Sequence, residues 1–265
     1  AGLMLFYTLS CSVNYHRDGI GTVLQLPREE ASKEKLEKLC AILSEELTAL
    51  TKDPEWNVSL QTLNDMDYIE TEAVSAMKQL AKRDSSFAGY YTKPKPIYFS
   101  AILSGFGIEG FFSPFTMEAN YNGDMTPFLA PYTISHELAH LKGFMREDDA
   151  GFIAYLACRN SPSKIFQYSG TFHALTFSLA ALKSEIGGLE FNKIYQELPE
   201  SVRNQLRYIN EHSRDTEPSY LSISRTVNNI YLKANAQTQG TKSYIRMVDL
   251  LIADYADRIS PENML

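Results

Sequence analysis

The sequence has few of the features that assign a protein to a class at once. Its three cysteines, Cys11, Cys40 and Cys158, form no CxxC pair and no paired framework, so we expect isolated buried thiols. With 25 basic against 32 acidic residues and a net charge of -7, nucleic acid is not the expected main partner. The 265 residues can bury a sizeable core without disulfides or a structural metal, so a bound metal is expected to serve chemistry.

A membrane-spanning run is also missing. Residues 1–13 (AGLMLFYTLSCSV) are apolar, but they are too few to cross a bilayer, which takes about 20 residues. They also lack the basic start of a signal peptide. Two interpretations stay open from the residues alone: a buried terminal strand or helix, or the truncated end of a membrane helix.

Hydrophobic periodicity predicts a single α+β domain that is mostly helical. Leucines recur at the spacing of one helical face over residues 32–50. The KPKP run at residues 93–96 predicts extended chain, because each proline disfavours helix in the residue before it. Short β-branched or aromatic runs, IYFSAIL and GFFSPFT, predict two or three strands between residues 97 and 122. Further helices are expected near residues 68–83, 131–142, 147–159, 163–186, 199–213, 219–234 and 241–257.

One motif carries the chemistry, the HExxH sequence His136-Glu137-Leu138-Ala139-His140. Residues four apart on a helix share a face, with Cβ atoms about 6 Å apart, so two imidazoles can bind one zinc ion. Glu137 lies about 100° round the helix from His136, beside the ion rather than on it. There it can accept a proton from a water molecule whose pKa the metal lowers towards about 7. The motif therefore predicts two metal ligands and a general base on a helix that follows the small sheet.

A catalytic zinc ion needs a third protein ligand and an open fourth position. Gly143 permits a sharp turn after the second histidine, and Glu147 follows four residues later. A helix that begins at Glu147 would present a face of small residues to the HExxH helix, which would bring Glu147 to the metal. Glu147 is the leading candidate, although acidic residues also favour a helix N-terminus without binding an ion. The alternatives that stay open are Asp148, Asp149, His173 and His212.

An oxyanion donor cannot be chosen from the sequence. Such a site needs a Tyr, His or Arg side chain opposite the base, where it stabilises the charge that develops on the substrate. Each eligible residue is also a common packing residue. The eligible residues are Tyr155, Tyr168, Tyr220, Tyr231, Tyr244 and His173.

Three stretches of the chain carry a family resemblance. The first is residues 95–160, with GIEGFFSPFTMEANYNGDMTPFLAPYTISHELAHLKGFMREDDAGFIAYLACRNS at its centre. The others are VNYHR at residues 13–17 and VNNIYLKANAQTQGTKSYIRMVDLLIADY at residues 227–255. They resemble domain-of-unknown-function family 3810, bacterial membrane-anchored proteins that are grouped with zincin-like peptidases. The resemblance implies a gluzincin-like domain over residues 14–265 with Zn²⁺ as cofactor.

The resemblance also bears on the third ligand and on the membrane. Related zincins commonly take this ligand from the Glu of an E-x-x-A-[DN] pattern, which falls here on EDDA at residues 147–150 and supports Glu147. The chain departs at Gly151, where relatives have an Asn or Asp that orients the ligands. Transmembrane helices are implied ahead of residue 1. This favours the truncated anchor for residues 1–13 and an extracytoplasmic position for the domain.

Three hypotheses of function follow. The first is a membrane-anchored zinc metallopeptidase, in which His136, His140 and Glu147 hold Zn²⁺ and Glu137 activates the water molecule that attacks a peptide bond. An edge strand within residues 110–121 would hold the peptide or protein substrate by strand addition. The second is a catalytically silent zincin-fold module that binds or scaffolds in the cell envelope. The third is a hydrolase of a non-peptide amide, with the same metal site and a different pocket.

Overall fold

Helices make up most of the chain in the computed structural model, which describes residues 2–27, 30–97, 103–104, 108–215 and 243–260. Together with the small sheet described next, they confirm the predicted helical α+β class. Two 3-10 turns accompany them, at Ser12–His16 and Ser85–Phe87. The helices are α1 (Gly2–Ser10), α2 (Ile20–Val23), α3 (Lys33–Lys52), α4 (Trp56–Leu60), α5 (Met66–Leu80), α6 (Ala130–Leu141), α7 (Glu147–Asn160), α8 (Lys164–Ile186), α9 (Gly188–Glu197), α10 (Glu200–Asp215), α11 (Ser243–Asp254) and α12 (Ala256–Ile259).

A mixed sheet of three strands lies between α5 and α6 in the chain. The strand β1 (Lys95–Ile97) runs parallel to the central β3 (Glu118–Asn122). The strand β2 (Gly110–Ser113) pairs antiparallel with the other side of β3, with Gly110 opposite Tyr121. Within the described residues, β2 therefore forms one edge of the sheet.

The long helices pack around one hydrophobic core. The helix α3 begins after Ser32, whose side chain accepts a hydrogen bond from the backbone N–H of Lys35, and its leucine stripe is buried as predicted. The helix α8 lies against α3, while α6, α7 and α8 pack on one another and α11 contacts both α7 and α8. The buried apolar side chains form one cluster in space, with members from Ile20 near the start of the chain to Ile259 near its end.

Small residues let α7 lie close to both of its neighbours. The Cys158 Sγ atom lies 3.9 Å from the Ser135 Oγ atom of α6. On the other side, a Cβ atom added at Gly170 of α8 would lie 2.6 Å from the Cβ atom of Cys158. Since α6 carries the HExxH motif and α7 begins at Glu147, this close packing holds the two parts of the candidate site together.

The first residues form a helix, but not a buried one. The helix α1 has no charged residue, and it exposes large apolar side chains to solvent. The truncated anchor stays a prediction, and the described helix leaves these side chains largely exposed. They are Leu5, Phe6 and Leu9. The cysteines match their prediction, since all three are buried and free.

The other predicted elements differ in detail. The helix α9 is not among the predicted helices; it begins at Gly188, because Gly187 at φ +77° ends α8 and turns the chain directly into α9. The predicted helix over residues 241–257 is divided at Tyr255 into α11 and α12. The predicted helix over residues 219–234 and most of the IYFSAIL strand lie outside the described residues.

Because α7 lies close to α8, a methyl group added at Gly170 should destabilise the protein. We expect Gly170→Ala to lower the free energy of unfolding by about 1–3 kcal/mol, because the new Cβ atom overpacks against Cys158. This loss exceeds the gain in helix propensity of up to about 1 kcal/mol. Urea denaturation in the presence of a chelator measures it without a contribution from metal binding.

Gly188→Ala is the matched control. A Cβ atom at Gly188 meets nothing within 4 Å, so the same change should leave stability unchanged or slightly raised. Equal stability of the two variants would contradict the close packing of α7 on α8.

Candidate metal centre

Helix α6 places both histidines of the HExxH motif on one buried face. Pro131 stands in the first turn of α6, where its missing N–H costs no helical hydrogen bond. Leu138 and Ala139 are fully buried in the core, as their positions in the motif predict. The rings of His136 and His140 lie side by side, with centroids 4.6 Å apart and planes perpendicular.

Glu147 joins this pair from the first turn of α7. The chain turns back at Gly143, whose φ of +81° lies in the left-handed region that favours glycine. Glu147 Oε2 lies 3.1 Å from His136 Nε2, and Glu147 Oε1 lies 3.8 Å from His140 Nε2. One ligand atom from each side chain falls within 4.8 Å of the other two. These side chains are only 10–12% exposed, so they form a largely buried group that could hold a metal ion.

The second ring nitrogen of His140 is already engaged. Its Nδ1 atom lies 2.8 Å from the carbonyl oxygen of Phe144. Because a carbonyl only accepts, Nδ1 carries the proton and Nε2 keeps its lone pair for the centre of the group. An outer hydrogen bond of this kind orients a metal-binding imidazole. Burial also lowers the pKa of His140 to about 4, so the ring is neutral at pH 7, as a metal ligand must be.

The electrostatic environment of His136 is different. Burial alone lowers the pKa of this ring, but the carboxylates of Glu147, Glu137 and Glu109 outweigh it and the net pKa is raised. Three carboxylates therefore surround two imidazoles. This donor set carries an excess of negative charge that a divalent cation would balance.

Glu137 is buried beside the three ligand side chains, and within the described part of the chain one of its carboxyl oxygens is not hydrogen-bonded. Its Oε2 atom has no hydrogen-bond partner among the described residues. Burial, reinforced by the charge of Glu147, raises its pKa to about 8, although His136 opposes the shift. A buried carboxyl oxygen without a partner is unfavourable, and a water molecule held at the group would satisfy it. The residues present therefore fit a hydrated metal ion.

The edge strand β2 passes directly over Glu137. A Cβ atom at Gly110 would lie 2.9 Å from both Cγ and Oε1 of Glu137, and 3.1 Å from the carbonyl oxygen of Asn120. Only glycine allows the backbone to come so close to that side chain. Gly110 therefore sets the distance between the edge of the sheet and the candidate base.

The VNYHR stretch holds the loop between α6 and α7. Arg17 donates a hydrogen bond of 2.8 Å to the carbonyl oxygen of Lys142, and its guanidinium lies 3.9 Å from the centroid of the Phe144 ring. Asn14 packs against Gly143, where a Cβ atom would lie 3.3 Å from the Asn14 Cγ atom. The carbonyl that orients the second histidine is thus fixed from outside the motif.

The acidic alternatives for the third ligand have other partners. Asp149 accepts hydrogen bonds of 2.9 Å from the backbone N–H of Ile20 and 2.7 Å from Arg146. It ties the N-terminal segment to α7, and neither of its oxygens belongs to the group of three ligand atoms. Asp148 is buried and lies 3.9 Å from Arg246.

His173 is a buried histidine with a hydrogen-bond partner in the core. Its Nδ1 atom lies 2.9 Å from the carbonyl oxygen of Ser169, and its ring stacks on Tyr132 at 3.9 Å. Burial lowers its pKa to about 4. The departure at Gly151 belongs to the same neighbourhood, because a Cβ atom there would lie 2.9 Å from both the Tyr132 hydroxyl and the Met247 sulfur. Tyr132 and Met247 thus fill the space beside Gly151.

Two of the eligible oxyanion donors are packing residues in the core. The Tyr155 hydroxyl donates to the Tyr255 hydroxyl at 2.8 Å, and Tyr168 packs on Trp56 at 5.1 Å between centroids. His173 lies near enough to the first histidine of the motif for their charges to interact. The remaining oxyanion candidates, or their side chains, lie outside the described residues: Tyr220, Tyr231 and Tyr244. The side chain of His212, an alternative for the third metal ligand, also lies outside them.

Glu109 is a site residue that the sequence patterns do not single out. It directly precedes Gly110 of β2, and its Oε2 atom accepts a hydrogen bond of 3.3 Å from the Thr133 hydroxyl. Thr133 lies about one helical turn before His136 and Glu137 on α6. Burial of the Glu109 carboxyl raises its pKa, although Thr133 and His136 oppose the shift, while the residue as a whole is exposed. Only the folded chain reveals its position.

Comparison with known proteins identifies a family. The family model described as "Protein of unknown function (DUF3810)" matches residues 1–252, which include every described residue of the site. No curated protein and no solved structure matches the chain. These comparisons assign no activity to the chain.

The geometry predicts which carboxylate binds the metal. We expect Glu147→Gln to weaken Zn²⁺ binding by at least about 100-fold, since even the loss of an outer hydrogen-bond partner costs about 10–100-fold. Competition with a chromophoric chelator measures the affinity.

Asp149→Asn tests the alternative ligand. Its affinity should stay within about tenfold of wild type, because Asp149 contacts Ile20 and Arg146 instead of the group. Unchanged binding by Glu147→Gln, or an equal loss in Asp149→Asn, would contradict the assignment. Circular dichroism confirms that each variant is folded.

Proposed function

The chain belongs to the DUF3810 family, and from its site we propose that it is a zinc-dependent metallopeptidase of the zincin type. The observation that carries the proposal is the convergence of His136, His140 and Glu147 beside the unpartnered Glu137. Two imidazoles and one carboxylate suit zinc and leave its fourth position to water. Zinc bound there would supply the positive charge that polarises a water molecule and the substrate carbonyl group.

Glu137 is the residue that moves the proton. Its carboxylate takes a proton from the water molecule as the water oxygen forms a bond to the carbonyl carbon of the peptide. Glu137 then returns that proton to the amide nitrogen as the C–N bond breaks, which yields a carboxylic acid and an amine. The burial that raises its pKa makes the ionised carboxylate a stronger base. His140 needs no rearrangement, because the Phe144 carbonyl already orients its ring.

The strand β2 supports the choice of an extended peptide as substrate. Its outer edge has no neighbouring strand within the described residues, and Gly110 brings it against Glu137. A peptide that adds to this edge would form backbone hydrogen bonds with the sheet. Its scissile bond would then lie close to the candidate base.

This mechanism predicts that binding and cleavage separate in one variant. Glu137→Gln should keep the Zn²⁺ affinity of wild type within about tenfold and lose at least about 100-fold in cleavage, because it cannot accept the proton. Mass spectrometry of a peptide mixture, incubated with zinc-loaded protein, measures cleavage. A chelator should abolish it and added Zn²⁺ should restore it.

Glu118→Gln, the same change on the central strand, is the control and should cleave normally. Its carboxylate pairs with Lys95 and takes no part in the metal group. Cleavage retained by Glu137→Gln, or no cleavage of any peptide by zinc-loaded wild type, would overturn the proposal.

We also propose that α1 holds the protein against a membrane. Among the described residues no helix is both long enough and apolar enough to cross a bilayer. The Phe6 ring stacks on Phe115 of the turn between β2 and β3, at 6.2 Å between centroids. Together with Leu5 and Leu9 they form an exposed apolar surface without a charged residue on α1. Such a surface favours the boundary between lipid headgroups and acyl chains.

Flotation with phosphatidylcholine vesicles tests this contact. Wild type should float with the vesicles, and the triple change Leu5→Ser, Phe6→Ser and Leu9→Ser should reduce the floating fraction severalfold, since each buried CH₂ contributes about 0.8 kcal/mol. Leu189→Ser is the matched control, because Leu189 is 89% exposed on α9 and lies outside the apolar surface. Wild type that stays in solution would rule out the contact.

A further inference from the structure

One carboxylate near the metal group has no role in the proposed hydrolysis. Glu109 is neither a member of the three-ligand group nor the proton acceptor. Among the described residues its hydrogen-bond donor is the neutral Thr133 hydroxyl, and no lysine or arginine forms an ion pair with it. The one charged neighbour among them is the His136 imidazole, which would be neutral as a metal ligand, so the carboxylate could bind a cation from solution.

The position of Glu109 is held by the central strand. Asn122 donates its backbone N–H to the carbonyl oxygen of Glu109 at 2.7 Å. The Asn122 side chain donates to the carbonyl oxygen of Ile108 at 3.2 Å and to the Ser104 hydroxyl at 2.8 Å. The backbone is therefore tied on both sides of Glu109, and the carboxylate is presented from a fixed point on the edge strand.

The position of Glu109 beside α6 favours a cation close to the scissile bond. The carboxylate bonds Thr133, which lies four residues, about 6 Å, before Glu137 along α6. In a peptide, the α-nitrogen of the first residue lies about 2.5 Å from its carbonyl carbon, and a charged hydrogen bond adds about 2.8 Å. These lengths together come to about 5 Å, so an α-ammonium group could reach Glu109 while the scissile carbonyl lies near Glu137.

The balance of charge points the same way. Of the three carboxyl groups Glu109, Glu137 and Glu147, only Glu147 belongs to the group that could hold the metal ion. Glu109 lies beside the edge strand on which the substrate would lie, and its carboxylate would have no bound ion to neutralise it. A substrate with a positive charge next to its scissile bond would complement it.

We propose that Glu109 binds the α-ammonium group of the substrate's first residue, which makes the enzyme an aminopeptidase. The inference rests on the proposed peptidase function and adds its substrate class, peptides with a free N-terminus. A chain that continued beyond that residue would place an uncharged amide against Glu109, without its ion pair.

Three hydroxamates test this in zinc-loaded protein by calorimetry. All three carry the same zinc-binding group: leucine hydroxamate has an α-amine, 4-methylpentanoic hydroxamate has none, and 6-aminohexanoic hydroxamate has an amine at the end of its chain. Wild type should bind the α-amino compound about 10–100-fold more tightly than the compound without an amine, as expected for a charge-assisted hydrogen bond. Glu109→Gln should remove this difference and leave the affinity for the amine-free compound unchanged. Glu118→Gln should retain the difference.

Each other outcome overturns the inference in a recognisable way. Equal affinity of wild type for all three compounds would show that no amine is bound. If Glu109 raised the affinity of 6-aminohexanoic hydroxamate alone, the bound group would be the amine of a lysine side chain and not the α-ammonium group. An equal loss for all three compounds in Glu109→Gln would reduce Glu109 to a structural role. Failure of every hydroxamate to bind would overturn the metal centre as well.

A second measurement separates this inference from the peptidase proposal. Pairs of peptides, one free and one acetylated at the N-terminus, are incubated with zinc-loaded wild type, and the products are weighed by mass spectrometry. Removal of the first residue from the free peptide alone supports both proposals. Cleavage of both members at internal bonds supports a peptidase and overturns the aminopeptidase. If the hydroxamates depend on Glu109 but no peptide is cut, the amine site stands and the peptidase proposal fails.

Discussion

The candidate metal centre depends on the close contact between α6 and α7. Two of its donors stand on one helix and the third on the next, so the distance between the helices sets the distance between the donors. That distance is small because Ser135 faces Cys158 across the contact. On the far side, Gly170 lets α8 press on the same point. A close-packed interior of this kind keeps three polar groups in place without a metal to draw them together.

Burial of polar groups has an electrostatic consequence that links the site to stability. Glu137 is buried with one oxygen unpartnered, and Glu147 lies beside it. Such carboxylates destabilise the folded chain until a cation arrives, because the water that solvated them is gone. An ion that binds only the folded state adds its binding free energy to that of folding. Part of the stability of this protein is therefore expected to depend on metal.

The ligand group could be predicted from the sequence, whereas the residues that support it could not. His136, His140 and Glu147 lie within twelve positions, and the helical repeat together with one glycine turn determines their arrangement. The hydrogen bond from Arg17 to Lys142 joins residues 125 positions apart, and no pattern in the sequence predicts it. Glu109 is equally hidden, because a single acidic residue before a short strand has no pattern of its own. Long-range pairing, rather than local preference, places both.

The N-terminal segment and the third ligand share one loop, and this has a thermodynamic consequence. Asn14 and Arg17 contact the residues that follow α6, and the N–H of Ile20 bonds Asp149, two residues after Glu147. A metal ion that steadies this loop must favour docking of the segment, and docking must favour the metal by the same factor. A force on the N-terminal segment would therefore change the affinity for the metal ion through the contacts of Asn14, Arg17 and Ile20.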